Sequence, residues 1–218
     1  MSDAEYEEHG LDLPQFELAE FVRRVLAEDL GSGGDVTSKA TIDASARFSA
    51  TLNCREPIVV AGLDLVVAFF RATDREVRFE RTVADGDAAE AGGVLLRVEG
   101  NARAMLAAER SALNTLQHLS GIATLTRAYV DVIVGTGATL LDTRKTIPGM
   151  RLLDNMPPDT LRQAVALVAG RVPLEASGGV RLDTIRAIAE SGVDYVSVGR
   201  ITQSAPAVDI GLDYALAR

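Results

Sequence analysis

From residue 138 to residue 199 short apolar runs alternate with amphipathic ones, and this alternation restricts the fold more than any other feature of the chain. "ATLLDT" predicts a strand, and "PPDTLRQAVALVAG" a helix with Pro and Asp in its first turn and Gly at its end. "VPLEAS" predicts a strand, "RLDTIRAIAESG" a helix and "VDYVSVG" another strand. Strand–helix–strand order of this kind means a parallel sheet, open or closed into a barrel. Chemistry in such sheets sits at the C-terminal ends of the strands. One pair of runs breaks the rhythm. "LLDTRKTIPGMRLLDNM" holds two apolar climbs to an acidic residue, at Asp142 and at Asp154, with nine residues between Asp142 and Leu152. A parallel crossover needs about a dozen residues or more, usually including a helix. Nine extended residues, at roughly 3.3 Å each, can still stretch about 30 Å and join distant strands without one.

The first hundred residues have a different character. "QFELAEFVRRVLAEDL", residues 15–30, places Leu18, Phe21, Val22, Val25 and Leu26 at helical spacing and is stopped by the glycines of "GSGGD". That glycine cluster follows a helix and not a strand, which favours a loop and cap over a phosphate loop. "FSATLNCREPIVVAG" predicts a strand pair broken at Pro57, and "LDLVVAFFRAT" a helix. "EVRFERTVADGD" and "GGVLLRVEGN" read as two further strands, giving an α+β unit of antiparallel flavour. "ARAMLAAERSALNTLQHLSGIATLTRAYVDVIVG" reads as two consecutive helices interrupted at Ser120-Gly121. The fold class is therefore α/β, with one domain over residues 1–102 and a second over 103–218.

Charge and composition narrow the function. A formal charge of −9 argues against nucleic acid and against anionic membrane as partners, since either surface usually shows a basic patch. The longest apolar stretch, "IVVAGLDLVVAFF", is interrupted by Gly62 and Asp64, and the acidic start "MSDAEYEEHG" has no signal-peptide core. A cytoplasmic location is the expectation. Cys54 is the single cysteine, so no internal disulfide forms, and in its alternating run it reads as a small buried hydrophobe. His9 and His118 are the only histidines, too few for a multi-histidine metal site. His118 reads as part of helical packing, with a Ser/His/Asp relay as the competing account.

Two places carry candidate chemistry. In "LEASGGVRLDTIRAIAESGVDYVSVGR" a strand runs into Ser177-Gly178-Gly179, where missing side chains let backbone N–H groups approach an anion. The next strand ends at Val198-Gly199. Ser-Gly-Gly alone is accounted for by a plain turn, but two such strand ends in succession favour a phosphate site. Lys145 is one of two lysines in a chain with twenty arginines, and it follows Arg144 at a predicted strand end. Arg offers a planar fork and Lys a point charge, a pair suited to a multiply anionic ligand, although a solvated basic turn explains them equally well. Asp154 can orient a ribose hydroxyl or accept a metal, or can simply end a turn.

"AERSALNTLQHLSGIATLTRAYV", "LLDTRKTIPG", "LLDNM", "LEASGGV" and "GVDYVSVG" together resemble quinolinate phosphoribosyltransferase, also called nicotinate-nucleotide pyrophosphorylase (carboxylating), and "EDLGSGGDVTS" fits it too. The resemblance covers nearly the whole chain in order. It implies an N-terminal α/β sandwich followed by an incomplete α/β barrel, assembled as a homodimer or higher homo-oligomer. It implies a transferase of NAD biosynthesis that joins quinolinate and phosphoribosyl pyrophosphate, with Mg2+ held mainly by substrate phosphates. Carried over residue by residue, Thr143, Arg144 and Lys145 meet quinolinate, and Arg110 reaches the neighbouring subunit's site. Asp154 lies near the ribose and the metal. Ser177, Gly178, Gly179, Val198, Gly199 and Arg200 cradle the phosphate; Arg144, Lys145 and Asp154 form the catalytic set.

The family pattern departs in one large block. After Thr-Arg-Lys-Thr the family continues through a helix, a glycine-rich turn with a His-Arg pair, a strand with a Lys and a later strand with a Glu before its Leu-Asp-Asn strand. Here those parts are absent, and the junction lies near Met150-Arg151. Smaller departures are Arg200, where the family usually has Ala, and Gln203, where it often has His. Losing about three strands should open the barrel. The alternatives to the enzyme are therefore a non-catalytic relative that keeps phosphate binding and dimerisation, and a transferase for another anionic ring.

Overall fold

The computed structural model describes residues 17–142 and 151–216. Helix α1 spans Leu18–Leu30 and buries Leu18, Val22 and Leu26, the stripe that the sequence spacing predicts. A short helix, α2, follows at Val36–Thr41; Asp35 caps it by accepting from the Ser38 amide at 2.9 Å. Strand β1 (Arg47–Cys54) alternates, with Ala50, Leu52 and Cys54 buried, and β2 (Ile58–Val59) lies beyond Pro57. Helix α3 occupies Leu63–Thr73, and β3 (Arg78–Arg81), β4 (Ala88–Ala89) and β5 (Val94–Asn101) come next.

Where two helices are expected there is one. Helix α4 runs unbroken over 32 residues, Ala102–Ile133. An interior glycine costs only about 1 kcal/mol against alanine, and here the small pair is put to use. Ser120 is fully buried, its hydroxyl accepts from the Ala61 amide at 3.0 Å and donates to the Ala61 carbonyl at 3.3 Å. The preceding turns of α4 put Met105, Ala108, Ala112 and Leu116 into one core, while Tyr129 and Ile133 belong to another.

The rest of the chain follows the predicted alternation: β6 (Thr139–Leu141), β7 (Arg151–Asp154), α5 (Pro158–Val168), β8 (Leu174–Ser177), α6 (Ile185–Ala189), β9 (Tyr195–Ser197) and a short α7 (Arg200–Gln203). A last strand, β10 (Ile210–Leu216), has no counterpart in the sequence expectations. It pairs antiparallel with β1 from Cys54↔Ile210 to Phe48↔Leu216. The antiparallel sheet has the order β10-β1-β5-β3, with β2 and β4 forming a small separate pair.

The chain therefore divides elsewhere than at residue 102. One compact unit comprises Met1–Ala123 with Ala207–Arg218, and the other Thr124–Pro206. The physical reason is that α4 is continuous through Ser120-Gly121, and β10 returns to the edge of β1.

In the second unit four strands form a parallel sheet of order β6-β9-β8-β7. This is an open arc of barrel type, as the resemblance implies. It also resolves the two strand ends that lie so close in sequence, because β6 and β7 are the opposite edges of that arc. Three strand spacings amount to about 14 Å, within the reach of the eight residues 143–150 even when the return along the strand is added. One face of the arc carries Leu174, Ala176, Val196 and Val198, all buried with Tyr129, Ile133, Leu161, Ile185 and Ile188. Strand alternation puts Glu175, Ser177 and Ser197 on the other face. Among the described residues no helix is long and apolar enough to cross a membrane.

Candidate functional site

A cavity of about 520 Å³ opens at the C-terminal ends of β7, β8 and β9. Asp154, Ser177, Gly178, Gly179, Gly199 and Arg200 line it, so six of the residues singled out in the sequence meet in one place. Asp154 ends β7 and Ser177 ends β8, directly opposite each other in the parallel register. Gly178 and Gly179 then turn the chain with φ of +89° and +62°, conformations that disfavour any Cβ. Gly178 and Gly179 bring no side chain of their own to the bend, so its backbone can come close to a ligand, which is what an anion site needs.

The remaining lining residues were not selected from sequence, apart from Gln203, noted there as a departure. Val180 and Arg181 continue the bend, and Ser197 and Gln203 complete the wall. Arg181 followed the Ser-Gly-Gly signal by two positions and could have been found from it. It is engaged, however: its guanidinium donates to both carboxylate oxygens of Asp183 at 2.9 Å. Hydrogen bonding to Asp183 raises the guanidinium above its ordinary value, and the same bond holds the Asp183 carboxyl below the usual range. Arg200 is exposed and makes no ion pair among the described residues. Among the described residues of the wall, it is the cation outside an ion pair.

Beneath the cavity, the Ser197 hydroxyl donates to Glu175, and both residues are 2% exposed. Asn155 also supports the wall: its amide donates to the Ser177 carbonyl at 2.8 Å and its carboxamide to Asp154 at 3.0 Å.

Val198 is placed differently from its neighbours. It is 1% exposed in the core, its amide donates to the Leu141 carbonyl at 3.0 Å, and its contribution is to hold β9 against β6. Thr143, Arg144 and Lys145 lie outside the described residues. The residue before them is anchored: Asp142 accepts from the Thr202 hydroxyl at 2.9 Å, so the chain enters that segment beside α7, which carries Arg200 and Gln203. Arg110 belongs to the other unit. It stands exposed on α4, 3.1 Å from Asp29, at the rim of a separate cavity of about 670 Å³.

No group of three or more His, Cys, Asp or Glu able to hold a metal occurs among the described residues. Among the described residues, Asp154 is the one carboxylate in the wall of the smaller cavity. That donor set fits a hard cation carried mostly by ligand phosphates and not a protein-built metal cage.

Comparison with known proteins shows which family the chain resembles. Residues 35–120 match the family described as quinolinate phosphoribosyl transferase, N-terminal domain, and residues 152–213 match its C-terminal domain. A nicotinate-nucleotide pyrophosphorylase (carboxylating) of Mycobacterium leprae is 32% identical over 272 positions, covering 88% of this chain and 95% of the relative. The chain belongs to the quinolinate phosphoribosyltransferase family. Its fold is likewise that of the family: a crystal structure of nicotinate-nucleotide pyrophosphorylase from Ehrlichia chaffeensis superposes with a TM-score of 0.86 at 29% identity, covering 92% of this chain and all of that one. The enzyme of the same name from Francisella tularensis gives 0.84 at 26% identity, covering 91% and 96%.

The same alignment measures the departure from the family. Its 272 positions face only 88% of a 218-residue chain, about 192 residues, so about 80 positions have no counterpart here. The two family matches stop at residue 120 and resume at 152, on either side of the junction near Met150-Arg151.

Proposed function

We propose that this chain is a phosphoribosyltransferase that transfers the phosphoribosyl group of phosphoribosyl pyrophosphate to the ring nitrogen of quinolinate. Pyrophosphate leaves the sugar, carbon dioxide leaves the ring, and nicotinate mononucleotide for NAD synthesis is the product. The observation that carries this reading is the convergence of Asp154, the Ser177–Gly179 bend and Gly199-Arg200 on one cavity in a chain of this family.

In this reading the glycine bend and Arg200 hold the 5′-phosphate, and Asp154 faces the ribose. Thr143, Arg144 and Lys145 receive the carboxylates of quinolinate, where cationic forks offset the repulsion between a diacid and a pyrophosphate donor. Positive charge develops on the sugar as pyrophosphate departs, so orientation and electrostatic stabilisation supply most of the catalysis. Magnesium, carried by the pyrophosphate oxygens with Asp154 nearby, would neutralise charge on the leaving group. The working assembly is a homodimer or larger homo-oligomer in the cytoplasm, with Arg110 of one copy serving the site of another.

A second reading is favoured by the roughly 80 family positions without a counterpart: a relative that binds sugar phosphates but turns them over poorly. Quinolinate-dependent release of pyrophosphate from phosphoribosyl pyrophosphate separates the two. The first reading expects release that Lys145→Ala abolishes. Binding of the donor without release assigns the second, and release that survives Lys145→Ala overturns the first.

A further inference from the structure

We propose that Asn155 is a positioning residue, which locks the Asp154 carboxylate to the glycine bend so that a sugar phosphate meets both at one fixed spacing. The inference rests on the reading of the cavity as a phosphoribosyl site.

Three contacts carry it. The Asn155 amide donates to the Ser177 carbonyl at 2.8 Å, which ties the end of β7 to the end of β8. Its carboxamide Nδ2 donates to Asp154 Oδ2 at 3.0 Å, which restrains the rotamer of that wall carboxylate. The same carboxamide lies over the Cα of Gly178, in the space that a Cβ would need. Asn155 thus touches the sugar-facing group and the phosphate-facing bend at once.

The backbone shows the cost of that placement. Asn155 has φ +53°, and the only other non-glycine residue with positive φ among the described residues is Ala169, at the C-terminal cap of α5. Asn tolerates this region better than most side chains. A turn alone would be served by glycine, whose φ is unrestricted. The carboxamide is what adds the link to Asp154.

The test uses the full chain and calorimetric titration with two ligands, inorganic phosphate and ribose 5-phosphate. Asn155→Gly keeps the backbone conformation and removes the link. The ratio of the two affinities is expected to fall about tenfold against ribose 5-phosphate, the lower end for one hydrogen bond to a carboxylate. In an Asp154→Asn background the same substitution should leave the ratio nearly unchanged, a coupling that general loosening of the loop does not produce. If Asn155→Gly fails to fold, Asn155→Ala, which also lacks the carboxamide and adds no charge beside Asp154, supplies the same ratio. Equal losses for both ligands, or no loss, overturn the role of Asn155 and leave the cavity reading intact. Failure of the unaltered chain to bind either ligand overturns the cavity reading, and this role with it.

Discussion

A Cβ placed on Gly178 would sit 2.6 Å from Cγ of Asn155, so the bend that ends β8 and the carboxamide that follows β7 occupy complementary space. A Cβ placed on Gly179, the next residue, would sit 3.5 Å from Asn155 Oδ1, an ordinary contact. Both glycines have positive φ, and alanine at either costs about 1–2 kcal/mol in backbone strain. Gly178→Ala carries the steric clash as well, and Asn155 cannot yield freely because Ser177 and Asp154 hold it. Affinity for ribose 5-phosphate should therefore drop about tenfold in Gly179→Ala and become undetectable in Gly178→Ala. A Gly178→Ala chain that binds as well as Gly179→Ala would contradict this.

Ser120 bridges α4 to the backbone at Ala61, and its replacement tests the continuous helix. In Ser120→Ala the half-buried Ala61 amide loses its acceptor, at a cost of about 1 kcal/mol. Thermal unfolding should register a lowered midpoint. An unchanged midpoint would mean that Ala61 finds another partner without penalty.

How much of this was readable in sequence depends on whether the signal was local. The stripe Leu18, Val22, Leu26 and the run Leu63–Thr73 carry their periodicity within themselves, and both helices form where expected. The same holds for the Ser177–Gly179 bend, since only glycine suits its φ. Ser120-Gly121 misled because two small residues look like a break unless one knows that Ala61 waits beside them. The strand β10 was missed because its alternation, Ile210, Leu212 and Tyr214, is short, and its partner lies some 160 residues earlier at β1. Asn155 was hidden for the same reason: its importance comes from Gly178, twenty-three positions away in sequence.

Removal of residues 207–218 should unfold more than a tail. Strand β10 covers one edge of β1, Val208 and Ile210 are buried, and Gln117 is bonded to the backbone at both residues. Each buried aliphatic side chain contributes about 1.5–3 kcal/mol. Hydrogen exchange is expected to show lost protection across β1 and β5 in the shortened chain, with β8 and β9 keeping theirs. Retained protection in β1 would show that its edge needs no cover.

Asp35 gives a pH-dependent prediction. Hydrogen bonds from Ser38, first its side chain and then its amide, hold the Asp35 carboxyl below the usual carboxylate range. A depressed folded-state pKa means that the stabilisation is complete above the unfolded value of about 3.9 and fades as pH falls through the lower folded value. At pH 7 Asp35→Ala should cost about 1 kcal/mol, the usual worth of such a cap. The two chains should converge in stability once the pH has fallen below the depressed folded value. Denaturant titrations across pH 2–7 check this, and a difference that persists in acid would assign the effect to packing.

Glu175 and Ser197 form a buried pair in which Ser197 also lines the cavity. Both are 2% exposed, and the Ser197 hydroxyl donates to the Glu175 carboxyl. Ser197→Ala leaves a buried acceptor without its donor, which costs about 1–3 kcal/mol. Replacing both groups by apolar ones of similar size, Glu175→Leu with Ser197→Ala, removes the orphan and can approach neutrality. The double variant should therefore be more stable than Ser197→Ala alone, a non-additivity that the double-mutant cycle reads directly. Its binding of inorganic phosphate should remain within a few-fold of the unaltered chain, because the glycine bend and Arg200 are untouched. Additive losses in stability would show that the two groups do not act as a pair, and a collapse of phosphate binding would place Glu175 in the anion site itself.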